Sequence, residues 1–144
     1  DPALAEPAYA CFYAARQKVQ LFEDALAALE FLASRYPIVA LTNGNADVHA
    51  AGVGRFFHAH LGAAQLCFAK PDARIFRAAA AVAGVAADAV LHVGDDAVLD
   101  MRGALDAGMQ AAWVNRAGGA WPSDQALRPQ ATVTDLTALC TLLR

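Results

Sequence analysis

The stretch Ala89-Val90-Leu91-His92-Val93-Gly94-Asp95-Asp96, with Asp100 shortly after it, constrains the fold of this chain more than any other. The apolar run predicts a buried strand. It stops at a glycine, and three carboxylates follow within six residues. A small-residue helix is expected over residues 98–107, with Gly103 and Ala104 inside it and Gly108 at its end. Acidic side chains at the carboxyl end of a buried parallel strand stand where open α/β sheets place their ligand sites. Clustered carboxylates repel one another unless a cation neutralises them, and hard oxygen donors suit Mg²⁺. Asp95, Asp96 and Asp100 are therefore candidate metal ligands.

The rest of the chain alternates strand and helix. Tyr9, Phe12, Tyr13 and Arg16 share one face of a helix expected over residues 8–19. Asp24 is placed to cap a helix over residues 25–35, with Leu26, Leu29 and Leu32 facing inward. After Pro37, residues 38–41 read as a short strand running into Thr42-Asn43-Gly44-Asn45. A short helix over 46–51 and a strand over 65–68 are expected next. Lys70-Pro71-Asp72 opens a further helix, with Ile75, Phe76, Ala79 and Val82 on its buried side and Gly84 closing it. A strand over 110–114, a loop over 117–129, and a last helix reaching 143 behind Thr134-Asp135 complete the pattern. Strands alternating with helices predict an α/β domain, a doubly wound parallel sheet with helices on both faces. Such a sheet brings Thr42, Lys70 and Asp95 with Asp96 to one edge.

That set suits a phosphate. The Thr42 hydroxyl and the Asn43 and Gly44 amides can cradle an oxyanion. Lys70 can neutralise its charge, and the carboxylates can hold Mg²⁺. Asp100 is placed to orient Lys70 or to hold a metal-bound water. A nucleophile is harder to find: Asp47, Asp72 and His92 are the nearest choices, and none belongs between the Thr42 strand and the Gly94 strand.

Composition narrows the partners. At 144 residues the chain can bury one core. Its apolar share of 58% and mean hydropathy of +0.33 owe much to alanine, and no apolar run approaches the roughly 18 residues of a membrane span. With a net charge of −3 and no basic cluster, neither nucleic acid nor a membrane is an expected partner. Three scattered cysteines suit a reducing, cytoplasmic setting. His49, His58 and His60 lack zinc-ligand spacing. The opening Asp1-Pro2 and the late methionines, Met101 and Met109, suggest a fragment, a processed product or a trimmed chain.

Thr42 after an apolar strand, Lys70-Pro71, and Gly94-Asp95-Asp96 with Asp100, Gly103-Ala104 and Gly108 resemble motifs two, three and four of the haloacid dehalogenase-like hydrolase superfamily. The likeness spans roughly residues 22–115. Leu41-Thr42-Asn43-Gly44-Asn45-Ala46, His92-Val93-Gly94-Asp95-Asp96 and Gly108-Met109-Gln110-Ala111-Ala112-Trp113 are similar to the branch of bacterial flavin mononucleotide and 5-amino-6-(5-phosphoribitylamino)uracil phosphatases. The resemblance implies a Rossmann-like core and a Mg²⁺-dependent phosphatase acting on a small phosphorylated metabolite through an aspartyl-phosphate. It assigns catalysis to Thr42, Lys70 and Asp95, phosphate binding to Thr42, Asn43, Gly44 and Lys70, and metal binding to Asp95, Asp96 and Asp100. The family's first motif, an Asp-x-Asp that supplies the nucleophile and the general acid/base, has no counterpart in these residues. The resemblance places that motif on a central strand between the strands ending at Thr42 and Gly94. The expectation is thus a core over 21–144 lacking that strand, with residues 1–20 as a remnant of a helical cap. It includes an inactive 144-residue chain that associates with an N-terminal segment or a second chain, or whose two half-sheets collapse together. Two alternatives are a non-catalytic phosphate- and Mg²⁺-binding subunit and a metal-independent haloacid dehalogenase.

Overall fold

The structure is a computed structural model that describes residues 2–144. Its helices are α1 (Ala5–Arg16), α2 (Ala25–Ala33), α3 (Ala63–Leu66), α4 (Ala73–Ala83), α5 (Gly103–Asp106) and α6 (Leu136–Leu142). Its strands are β1 (Val39–Thr42), β2 (Ala59–Gly62), β3 (Leu91–Gly94), β4 (Gln110–Val114) and β5 (Ala131–Val133). All pairings are parallel, as the alternation predicts, but they fall into two sheets: β1–β2, and β3–β4–β5. Among the described residues β1 and β3 each have one strand neighbour.

β4 shows how the layers form. Successive strand residues point to opposite faces. Ala111 and Trp113 join a cluster with Ile75, Phe76 and Ala80 of α4 and Ala104 of α5. Ala112 and Val114 join Val133 and Leu139 of α6, with Leu32 of α2 packed against them. The sheet is therefore covered on both sides. Gly103 allows the close approach of α5 to α4, because a Cβ there would lie 2.5 Å from Phe76 Cε2.

Several local expectations need correction. Residues 46–51 form turns, not a helix. The Asp47 N–H is taken by Gln17 Oε1, and the Asp47 carboxylate accepts from the His49 N–H. The second strand is β2, not residues 65–68. Residues 63–66 are helical and close with Cys67 in a left-handed conformation, φ 60°. β5, only three residues long, adds a strand beyond those expected. In α4 the buried residues are Ile75, Phe76 and Ala80, while Val82 is exposed. Asp24 precedes α2 but makes no side-chain cap there. Its carboxylate accepts instead from the Leu136 N–H at the start of α6 and from Arg116. α1 is exposed along its whole length. Its aromatic residues meet one another, with Tyr9 stacked on Tyr13 at 6.2 Å.

Candidate functional site

The carboxyl ends of β1 and β3 converge on the loop that carries Lys70. Thr42 is the last residue of β1, and its Oγ1 accepts from the Gly44 N–H at 2.9 Å. This bond folds the loop back and leaves the hydroxyl proton free to donate elsewhere. It also uses the Gly44 amide, so of the two expected backbone donors only that of Asn43 remains available. The Asn43 side chain has a different task. Its Nδ2 donates to the Lys70 carbonyl at 2.9 Å, and its Oδ1 accepts from the Lys70 N–H at 2.7 Å. Asn43 thereby fixes the lysine's backbone against the end of β1.

Lys70 Nζ then donates to Asp100 Oδ1 at 2.5 Å, and both side chains are largely shielded from water. His92 Nε2 lies 3.3 Å from the same oxygen, and the Asp96 N–H donates to the other at 3.1 Å. Burial opposes the Asp100 charge, but the bonds from His92 and Lys70 outweigh it and hold the carboxyl well below the usual carboxylate range. Gly94 makes this possible, since a Cβ there would lie 2.5 Å from the Asp100 carboxylate. Residues 97–102 form a wide π-type turn rather than the start of an α-helix. The Asp100 and Met101 N–H groups both donate to the Asp96 carbonyl.

The three carboxylates do not converge. Asp96 Oδ1 accepts from the Val98 and Leu99 N–H groups and caps that turn. Asp100 is turned inward to Lys70. Asp95 alone is exposed with a side chain that makes no hydrogen bond among the described residues. No group of three or more His, Cys, Asp or Glu among the described residues could hold a metal ion. These side chains alone therefore do not assemble a three-carboxylate group. A turn that needs a cap and a lysine that needs a buried partner have claimed two of the three.

Two positioning residues escaped the sequence reading. Trp113 Nε1 donates to the Asp95 carbonyl at 2.8 Å, so β4 steadies the turn that presents Asp95. Gln17, just past α1, donates to the Asn45 carbonyl and accepts from the Asp47 N–H. Nothing in the order of residues pairs position 17 with position 47. Beside Asp95 opens a cavity of about 480 Å³, lined by Phe22, Val93, Gly94, Val114, Arg116 and Leu136 among others. The histidines at 49, 58 and 60 lie at or near the surface.

The sequence profile of the haloacid dehalogenase-like hydrolases matches residues 2–108. The chain belongs to that family. It is 33% identical over 132 residues to the 5-amino-6-(5-phospho-D-ribitylamino)uracil phosphatase YigB of Escherichia coli, a match covering 89% of this chain and 55% of that protein. It is 35% identical over 131 residues to a phosphoserine phosphatase of Thermus thermophilus, covering 87% of this chain and 52% of that protein. A 2-haloacid dehalogenase structure from Pseudomonas syringae superposes with a TM-score of 0.93 at 38% identity, covering 98% of this chain and 60% of that one. The chain thus spans about half the length of the curated relatives it matches. The Rossmann-like architecture agrees with these neighbours. No helix among the described residues is long and apolar enough to cross a membrane.

Proposed function

We propose that this chain is the larger part of the core of a phosphoric monoester hydrolase acting on a small phosphorylated metabolite. The observation that carries the reading is the link Thr42–Asn43–Lys70–Asp100. It holds a hydroxyl donor and an ammonium group together at the carboxyl edge of parallel strands. The Thr42 hydroxyl and the Asn43 amide donate to phosphoryl oxygens. Lys70, with one of its three donors on Asp100, turns the others to the same anion. Phosphoryl transfer depends chiefly on such positioning and charge neutralisation. The nucleophilic aspartate comes from a further parallel strand between β1 and β3, supplied by another segment or a second chain, and the unpaired edges of both strands support this. Residues 1–20 belong to a cap over the site. Mg²⁺ is the cofactor of the whole protein, with Asp95 as the carboxylate this chain contributes. Similarity to YigB favours a riboflavin-pathway phosphate as substrate, flavin mononucleotide included.

The 38% identity to a 2-haloacid dehalogenase favours a second reading, halide release without metal. One assay separates the two. The whole protein is incubated with phosphomonoesters, including p-nitrophenyl phosphate and flavin mononucleotide, and with 2-chloropropionate, with and without Mg²⁺. The proposal expects Mg²⁺-dependent phosphate release, lost in Asp95→Asn, and none from the isolated 144-residue chain. Metal-independent chloride release would overturn it.

A further inference from the structure

A cation without a carboxylate partner among the described residues lies near the site, on a residue outside the three matched motifs. Arg16 ends α1 and is exposed. Its guanidinium lies 5.8 Å from the Phe12 ring centroid and has no carboxylate partner among the described residues. Its position follows from Gln17, whose two bonds to the backbone of Asn45 and Asp47 fasten the end of α1 to the loop after β1. A carbon built at the Cβ position of Gly44 would lie 3.4 Å from Arg16 Nη2 and 3.4 Å from Thr42 Oγ1. The guanidinium and the hydroxyl therefore both flank the face of Gly44 that carries no side chain. Charge-assisted bonds to an anion run about 2.8 Å, so one oxyanion can reach both donors.

We infer that Arg16 is a substrate-contacting residue, which together with Thr42 grips the phosphoryl group. The inference rests on the phosphate-site reading above and extends it. Lys70 is partly neutralised by Asp100, whereas Arg16 brings a full, unshared charge and a planar fork suited to phosphate oxygens. Arg16 thus balances a site otherwise rich in carboxylates.

The test is a titration of the 144-residue chain with inorganic phosphate, followed by the Arg16 Nε–Hε signal and the Asn43 and Gly44 amide signals in nitrogen-15 NMR. The three signals are expected to move together with one dissociation constant. Arg16→Gln, which removes no hydrogen bond among the described residues, is expected to weaken phosphate binding about tenfold. Gly44→Ala fills the space without demanding a new backbone conformation and is expected to weaken binding comparably. Lys18→Gln, an exposed charge two residues on, is expected to change little, which separates contact from bulk charge. Shifts at Asn43 and Gly44 with a silent Arg16, or equal binding by Arg16→Gln, overturn the Arg16 assignment alone. No shift at any of the three signals overturns the phosphate site and the assignment with it.

Discussion

β4 and the pair β1 and β3 differ in one respect, the number of strand neighbours, and much follows from it. β4 lies between β3 and β5, and Ala111 and Ala112 are fully buried there. Every residue of β1 and β3 is only half-buried. Yet β1 ends in Thr42 and β3 ends just before Asp95, so the chemistry sits on the less covered strands. Stability is concentrated in the helix-covered middle, and the site in the part whose backbone edges are open. An unpaired strand edge is a row of exposed donors and acceptors, a template for another strand.

Core truncation is the hardest blow to that contrast. Phe76→Ala removes a fully buried ring beneath Gly103 and is expected to cost about 3–5 kcal/mol in chemical denaturation. Leu41→Ala on β1 should cost about 1 kcal/mol, since its side chain is only partly buried. Equal losses at the two positions would break the comparison.

Lys70→Met comes next. It leaves Asp100 buried without its ammonium partner, and about 3 kcal/mol is expected to be lost. The same pair sets a pH dependence. The Asp100 carboxyl is held below its unfolded value near 3.9, so its stabilisation is present above that pH. It is lost as pH falls further. Thermal melts of the wild type should show a steeper loss below about pH 4 than those of Asp100→Asn.

Asp24→Ala removes the bonds to Leu136 and Arg116 and should cost about 1 kcal/mol, read from the same denaturation curves. That loss tests whether α2 and α6 are tied together on their side of β4.

Much of this was legible from residue order. The apolar run into Gly94-Asp95-Asp96 announced β3 and its turn, and Gln110 to Val114 is β4 as read, because long apolar runs between glycines leave few alternatives. Thr42 and Lys70 meet at one edge, but through the Asn43 side chain, which binds the Lys70 backbone, because Lys70 follows α3 and not a strand. What could not be read was competition for hydrogen bonds. Asp96 and Asp100 are carboxylates in sequence, but a cap and a buried ion pair in space. Gln17, Trp113 and Arg16 act across distances that no local pattern records. β5 is too short to announce itself, and β2, a four-residue strand of mixed polarity, carries little periodic signal.

Amide hydrogen exchange of the 144-residue chain tests the central contrast most directly. Exchange is expected to be slowest in β4, and fast at those amides of β1 and β3 that bond to neither β2 nor β4. Protection of those edge amides equal to that of β4 would contradict it, because the strands carrying Thr42 and Asp95 would then already have partners on both sides.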